Sequence, residues 1–157
     1  MLKNLPENVR EVSVEDIERN VGVSRQFSIF ELTRELSIKN SAKAIRIATH
    51  IGTAAKFQMP MAVSALYTHF SRILRYGALL SKGGYPSADQ KAVALAGVNP
   101  YFYREYDTAV RNYPLKSCMS VIALIMEYDF KGKGGADAGE ATAQELLQEL
   151  VVKILNS

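Results

Sequence analysis

The chain has 157 residues, a net charge of +3 and an apolar content of 48%. That describes one ordinary domain with enough apolar side chain to build a core, and it leaves little room for disorder. No run of 18 apolar residues predicts a transmembrane helix, MLKNLPENVREVSVEDIERN has no signal-peptide core, and the single Cys118 excludes an internal disulfide, so a cytoplasmic location is expected.

The expected elements are helices. Ser13 with Asp16 resembles a capping box for SVEDIERNV, which Gly22 should stop. Ser28 with Glu31 repeats the signal for SIFELTRELS, whose Ile29, Leu32 and Leu36 share a face. Asn40 or Ser41 caps AKAIRIATHI, and Gly52 ends it. Pro60 opens the longest helix, which closes at Gly83-Gly84 and carries Ala62, Val63, Leu66, Phe70, Ile73, Leu74 and Gly77 as one stripe. Ser87 with Gln90 opens ADQKAVALA, stopped by Gly97. Asn99 and Pro100 start a helix with Phe102, Tyr106, Ala109, Val110 and Tyr113 at helical spacing, and Pro114 ends it. The next helix, over 118–129, is apolar on nearly every side, which predicts that other helices cover it all round. KGKGGADAGEA should be the most flexible stretch. A last helix is expected over about 142–155, with Leu146, Leu147, Leu150, Val151, Ile154 and Leu155 inward.

About eight helices joined by short loops make an all-α compact bundle. The one boundary lies near 23–27. Residues 1–25 are too few for a core of their own and read as the tail of another small helical module, while 26–157 form the main domain.

Chemistry-bearing patterns are scarce. Gly132, Lys133, Gly134 and Gly135 follow no strand and lack a GK[ST] end, so no phosphate loop is expected. His50, His69 and Cys118 have no ligand spacing, so no metal site and no cofactor are expected. Cys118 reads as a small buried residue and His69 as an edge residue of its helix. Glu31 and Glu35 lie one turn apart on an exposed face. No catalytic residue is assigned, and the chain is not expected to be an enzyme by itself.

Charge is uneven: −2 over residues 1–35, +7 over 36–98 and −2 over 99–157. A basic middle segment suits either DNA phosphates or an acidic protein surface. Arg72, Arg75 and Lys82 on the long helix are the candidate DNA-facing residues. Residues 87–113 also mimic a helix-turn-helix unit, although Pro100, Tyr101, Phe102 and Tyr103 sit where polar groove-reading residues belong. A free-standing helical DNA-binding or regulatory protein is therefore the alternative reading.

The ordered segments carry a resemblance. SVEDIERNVGVSRQFSIFEL, ELSIKNSAKAIRIATHI, ALYTHFSRILRYGALL, LAGVNPYFYREYDTAVRNY, MEYDFKGKGG and LLQELVVKIL resemble, in order, the C-terminal part of the bacterial DNA polymerase III delta subunit family, a component of the clamp loader. The resemblance implies a helical collar domain that joins loader subunits into a ring during DNA replication, with 1–25 the end of the lid module of an AAA+-like subunit. It implies that polymerase (nucleotidyltransferase) activity resides in another subunit of the holoenzyme. The family's N-terminal ATPase-like module, which engages the sliding clamp, has no counterpart here, and the chain is expected to be a piece of a longer subunit. The expected partners are other loader subunits, with weak DNA-backbone contact at most and no membrane. Tyr101, Tyr103, Arg104, Arg111 and Tyr113 are the candidate interface anchors, because buried aromatic and Arg side chains dominate specific interfaces.

Overall fold

The computed structural model describes residues 21–135 and 140–157. Among them are seven α-helices and one 3₁₀ turn, with no strand. They are α1 (Val21–Ser37), α2 (Ser41–Gly52), α3 (Met59–Ser81), α4 (Ala88–Ala94), the 3₁₀ turn Pro100–Phe102, α5 (Tyr103–Asn112), α6 (Leu115–Gly132) and α7 (Ala143–Leu155). The all-α bundle expected from the sequence is what the chain adopts. The helix expected over SVEDIERNV lies almost wholly outside the described residues, as does part of the glycine-rich KGKGGADAGEA.

The caps explain most boundaries. Asn40 accepts from the backbone N–H of Lys43 to open α2. Ser87 with Gln90, and Thr142 with Glu145, form complete capping boxes for α4 and α7. Asn99 accepts from the Tyr101 N–H at 3.0 Å and starts the 3₁₀ turn. Pro114 stands as the N-cap of α6. Gly83 and Gly84 take φ of 83° and 73° after α3, conformations that a side chain disfavours.

Two expectations about helix ends are corrected. Gly22 and Ser28 lie within α1, so neither a stop at Gly22 nor a cap at Ser28 occurs, and the boundary drawn at 23–27 falls inside a continuous helix. One glycine costs a helix only about 1 kcal/mol, which neighbouring turns offset.

The hub of the bundle is α3. It packs on α1, α4, α5, α6 and α7, most extensively on α6. Its buried side chains are Met59, Ala62, Leu66, Phe70, Ile73 and Tyr76. The second layer is the α2–α7 pair, with Ala44, Ile47, Ala48 and Ile51 facing Leu147, Leu150, Val151 and Ile154 across one continuous core. The expectation that α6 is enclosed all round is not met. It buries one face, Cys118, Val121, Ile125 and Tyr128, against α3 and α7, while Met119, Met126 and Phe130 stay exposed. Apolar composition alone could not reveal that α6 has neighbours on only one side.

Candidate interaction surface

The sequence-derived candidates divide by what holds them. Tyr101 sits in the 3₁₀ turn with 83% of its surface exposed, its ring edge-on to Phe102 at 5.1 Å. Arg104 is exposed one residue into α5. Arg111 is exposed further along and leans on the Thr108 hydroxyl at 3.4 Å. Tyr103 is half-buried against the core. Tyr113 is not a surface residue at all. Its ring is buried edge-on to Phe70 at 5.1 Å, and its hydroxyl donates to the Leu36 carbonyl at 2.7 Å. Burial raises its phenol well above the ordinary range, so it stays a neutral donor. Tyr113 therefore holds α1 to the end of α5 and is no interface anchor.

The basic trio is also redistributed. Arg72 Nε donates to the Ala96 carbonyl at 3.3 Å and Arg75 Nε to the Ala94 carbonyl at 3.2 Å. Both guanidinium groups thus supply donors to carbonyls at the C-terminal end of α4, where the helix dipole also favours a cation. Lys82 is the exposed C-cap residue of α3. Arg75 and Lys82 border an open groove between α3 and α4 floored by Ala78, Leu79 and Val93. Arg72 lines a different space.

That space is a cleft between α1, α3 and the turn into α5, about 240 Å³ in volume. Phe30 and Phe102, both on its lining, meet edge-on with centroids 5.8 Å apart. The Arg34–Glu105 ion pair, at 2.8 Å, stands on its lining. Gly97, with φ 86°, lets the Arg72 guanidinium approach so closely that an added Cβ would lie 2.9 Å from Nη2. Burial raises the Tyr106 phenol, opposed by a hydrogen bond from Arg72 and by the Arg72 charge.

His69 lies at the back of this cleft. It is half-buried at the edge of its helix's apolar face, as the sequence suggests, with both ring nitrogens engaged: Nε2 lies 2.6 Å from Ser37 Oγ and Nδ1 3.2 Å from the Tyr106 hydroxyl. Burial first, and the Arg72 charge second, hold its pKa down to about 3. Ser37 Oγ donates to the Thr33 carbonyl at 2.8 Å, so its proton is already placed and the serine is no activated nucleophile.

The acidic and thiol side chains elsewhere serve the fold. Glu35 is half-buried and paired with Lys43 at 3.0 Å, which corrects its placement on an exposed face, while Glu31 is exposed. The Cys118 thiol donates to the Phe70 carbonyl at 3.2 Å, and burial pushes its pKa up to about 11. Among the described residues no group of three or more His, Cys, Asp or Glu could hold a metal ion, and no helix is long and apolar enough to cross a membrane.

The cleft is not legible in the sequence. Its parts come from Phe30–Arg34, His69–Arg72 and Gly97–Tyr106, and no local spacing links them. The one available signal was Gly97 after a short helix. No family model matches the chain, and neither a curated protein nor a solved structure matches it.

Proposed function

We propose that this chain is an assembly module of a replication clamp loader, the collar part of a subunit like the polymerase III delta subunit, acting in the cytoplasm. The observation that carries the reading is the entrance to α5. There exposed Tyr101 projects from a turn fixed by the Asn99 cap and exposed Arg104 from the start of α5, on a bundle whose neighbouring Tyr113 is locked into the core. Aromatic and Arg side chains held rigidly on a scaffold are what a specific protein interface requires. The ordered segments of the resemblance and an all-helical fold support the same reading. On this reading the chain contributes contacts, and ATP hydrolysis, clamp opening and polymerisation belong to other parts of the machine.

Size-exclusion chromatography with the remaining loader subunits tests the proposal. Co-elution with them, lost in a Tyr101→Ala/Arg104→Ala double variant, is the expected result. Recovery of the sliding clamp alone, with no loader subunit, overturns it. The helix-turn-helix alternative draws no support from the geometry. The second helix opens on a 3₁₀ turn with Phe102 and Tyr103 half-buried, and Arg72 and Arg75 are engaged with α4. Tight DNA binding that weakens steeply with salt would restore it.

A further inference from the structure

We infer that the cleft between α1, α3 and the α5 entrance binds a monoanionic carboxylate attached to an apolar or aromatic body. The inference stands on the cleft alone and does not depend on the assembly role.

The charge comes first. Arg72 forms no ion pair among the described residues, although it lines the cleft. Its Nε is committed to the Ala96 carbonyl and its Nη2 packs against Gly97, which fixes the plane of the guanidinium beside the Tyr106 hydroxyl and leaves no carboxylate on it among the described residues. A planar guanidinium held this way matches a carboxylate with two parallel hydrogen bonds. The other charges on the lining, Arg34 and Glu105, neutralise each other at 2.8 Å. The net charge offered is therefore one positive unit, which suits a monoanion. Glu105 opposes a doubly charged phosphate.

The walls decide the rest of the ligand. Phe30, Phe102 and Val98 supply apolar surface, which favours an aromatic or aliphatic body over a sugar. His69 adds no charge near neutral pH, because its pKa lies near 3 and both nitrogens are already bonded. The volume of about 240 Å³ takes a group the size of a phenylalanyl carboxylate. Such a group has two sources: a free small acid, or the C-terminal residue of a partner chain.

The test uses the whole chain, ¹⁵N-labelled, and follows the amides of Gly97 and Asn99 and the Arg72 Nε–H. The probes are phenylacetate and the peptide Gly-Gly-Phe with a free C-terminus, against phenylacetamide, the amidated peptide and inorganic phosphate. Saturable shifts with phenylacetate, at a dissociation constant of about 1 mM, are expected, and none with the neutral amides or phosphate. Binding of phenylacetate alone assigns the site to a free acid, and binding of the peptide as well assigns it to a chain terminus. Arg72→Lys should weaken binding about tenfold by losing the fork. Glu105→Gln removes the opposing charge, frees Arg34 and should tighten binding about threefold. No shift with either carboxylate up to about 20 mM overturns the inference. So does an equal response to the amides or to phosphate. If Arg72→Lys does not fold, Glu105→Gln decides: unchanged or weaker affinity refutes the site.

Discussion

Ser37 Oγ lies 2.6 Å from His69 Nε2, and the direction of that bond is fixed from outside it. The serine proton points to the Thr33 carbonyl, so the imidazole must be the donor at Nε2. Nδ1 is then the acceptor for the Tyr106 hydroxyl. Four groups on α1, α3 and α5 form one chain of hydrogen bonds that requires a neutral histidine.

Protonating His69 breaks that chain, which makes acid stability the first prediction. The folded pKa is about 3 against an unfolded value of 6.5, so the unfolded state binds the proton more readily. The stability tied to His69 is fully present above pH 6.5 and is lost as pH falls towards 3. Between pH 7.5 and 5 the loss should be about 2 kcal/mol. Urea unfolding at the two pH values measures it. A His69→Gln variant should show a much smaller difference over the same interval, and an unchanged difference would refute the assignment.

Two helical glycines should respond oppositely to alanine. A Cβ at Gly77 would lie 3.4 Å from Leu115 Cδ2 and 3.8 Å from Val110 Cγ1, ordinary contact distances. Gly77→Ala should therefore stabilise by about 0.5–1 kcal/mol through helix propensity. A Cβ at Gly52 would meet Gln144 Cγ at 2.9 Å and its Cα at 3.2 Å, where α2 abuts the start of α7. There the backbone must move, and Gly52→Ala should destabilise by about 1–3 kcal/mol. Thermal melts of the pair distinguish the cases.

On α6, depth should replace composition as the guide to sensitivity. Ile125 is fully buried, and Ile125→Ala should cost about 2–5 kcal/mol. Met126, its neighbour in sequence, is 62% exposed, and Met126→Ala should change stability by less than about 0.5 kcal/mol. Ile122 is half-buried and should fall between them. Equal losses at Ile125 and Met126 would show that another surface covers the outer side of α6.

The two tyrosines of the α5 region separate stability from assembly. Tyr113→Phe removes the hydroxyl bonded to the Leu36 carbonyl, which keeps the Lys39 N–H as a partner at 3.0 Å, so the cost should be about 0.5–1.5 kcal/mol. Tyr101→Ala should leave the melting curve within about 0.5 kcal/mol, since the ring is exposed, while weakening the proposed association. A reversal of this order would invert the surface assignment.

The elements were legible where a signal is local. The Ser87–Gln90 box, the Asn99 cap, the Pro60 start and the apolar face of α7 all lie within one or two turns of the residues they organise. The run of α1 through residues 22–28 was not, because Gly22 and Ser28 carry stop and cap signals that a longer helix overrides. The two faces of α6 look alike in sequence, and only the positions of α3 and α7 tell them apart. The cleft was invisible for the same reason at larger scale. Arg72 reads as a solvated helix charge until Ala96 and Gly97 are seen to come back over it.

The α2–α7 layer bears on how the protein is made. α2 packs more extensively on α7 than on its chain neighbour α1, and the Gln148 side chain donates to Thr49 Oγ1 across 99 residues. During synthesis, α2 leaves the ribosome long before the helix that covers its Ile47 and Ile51. At ordinary translation rates that interval is on the order of ten seconds. A nascent chain halted before residue 143 thus carries an uncovered apolar face, a natural target for chaperone capture, and release of the last helix is the step that withdraws it.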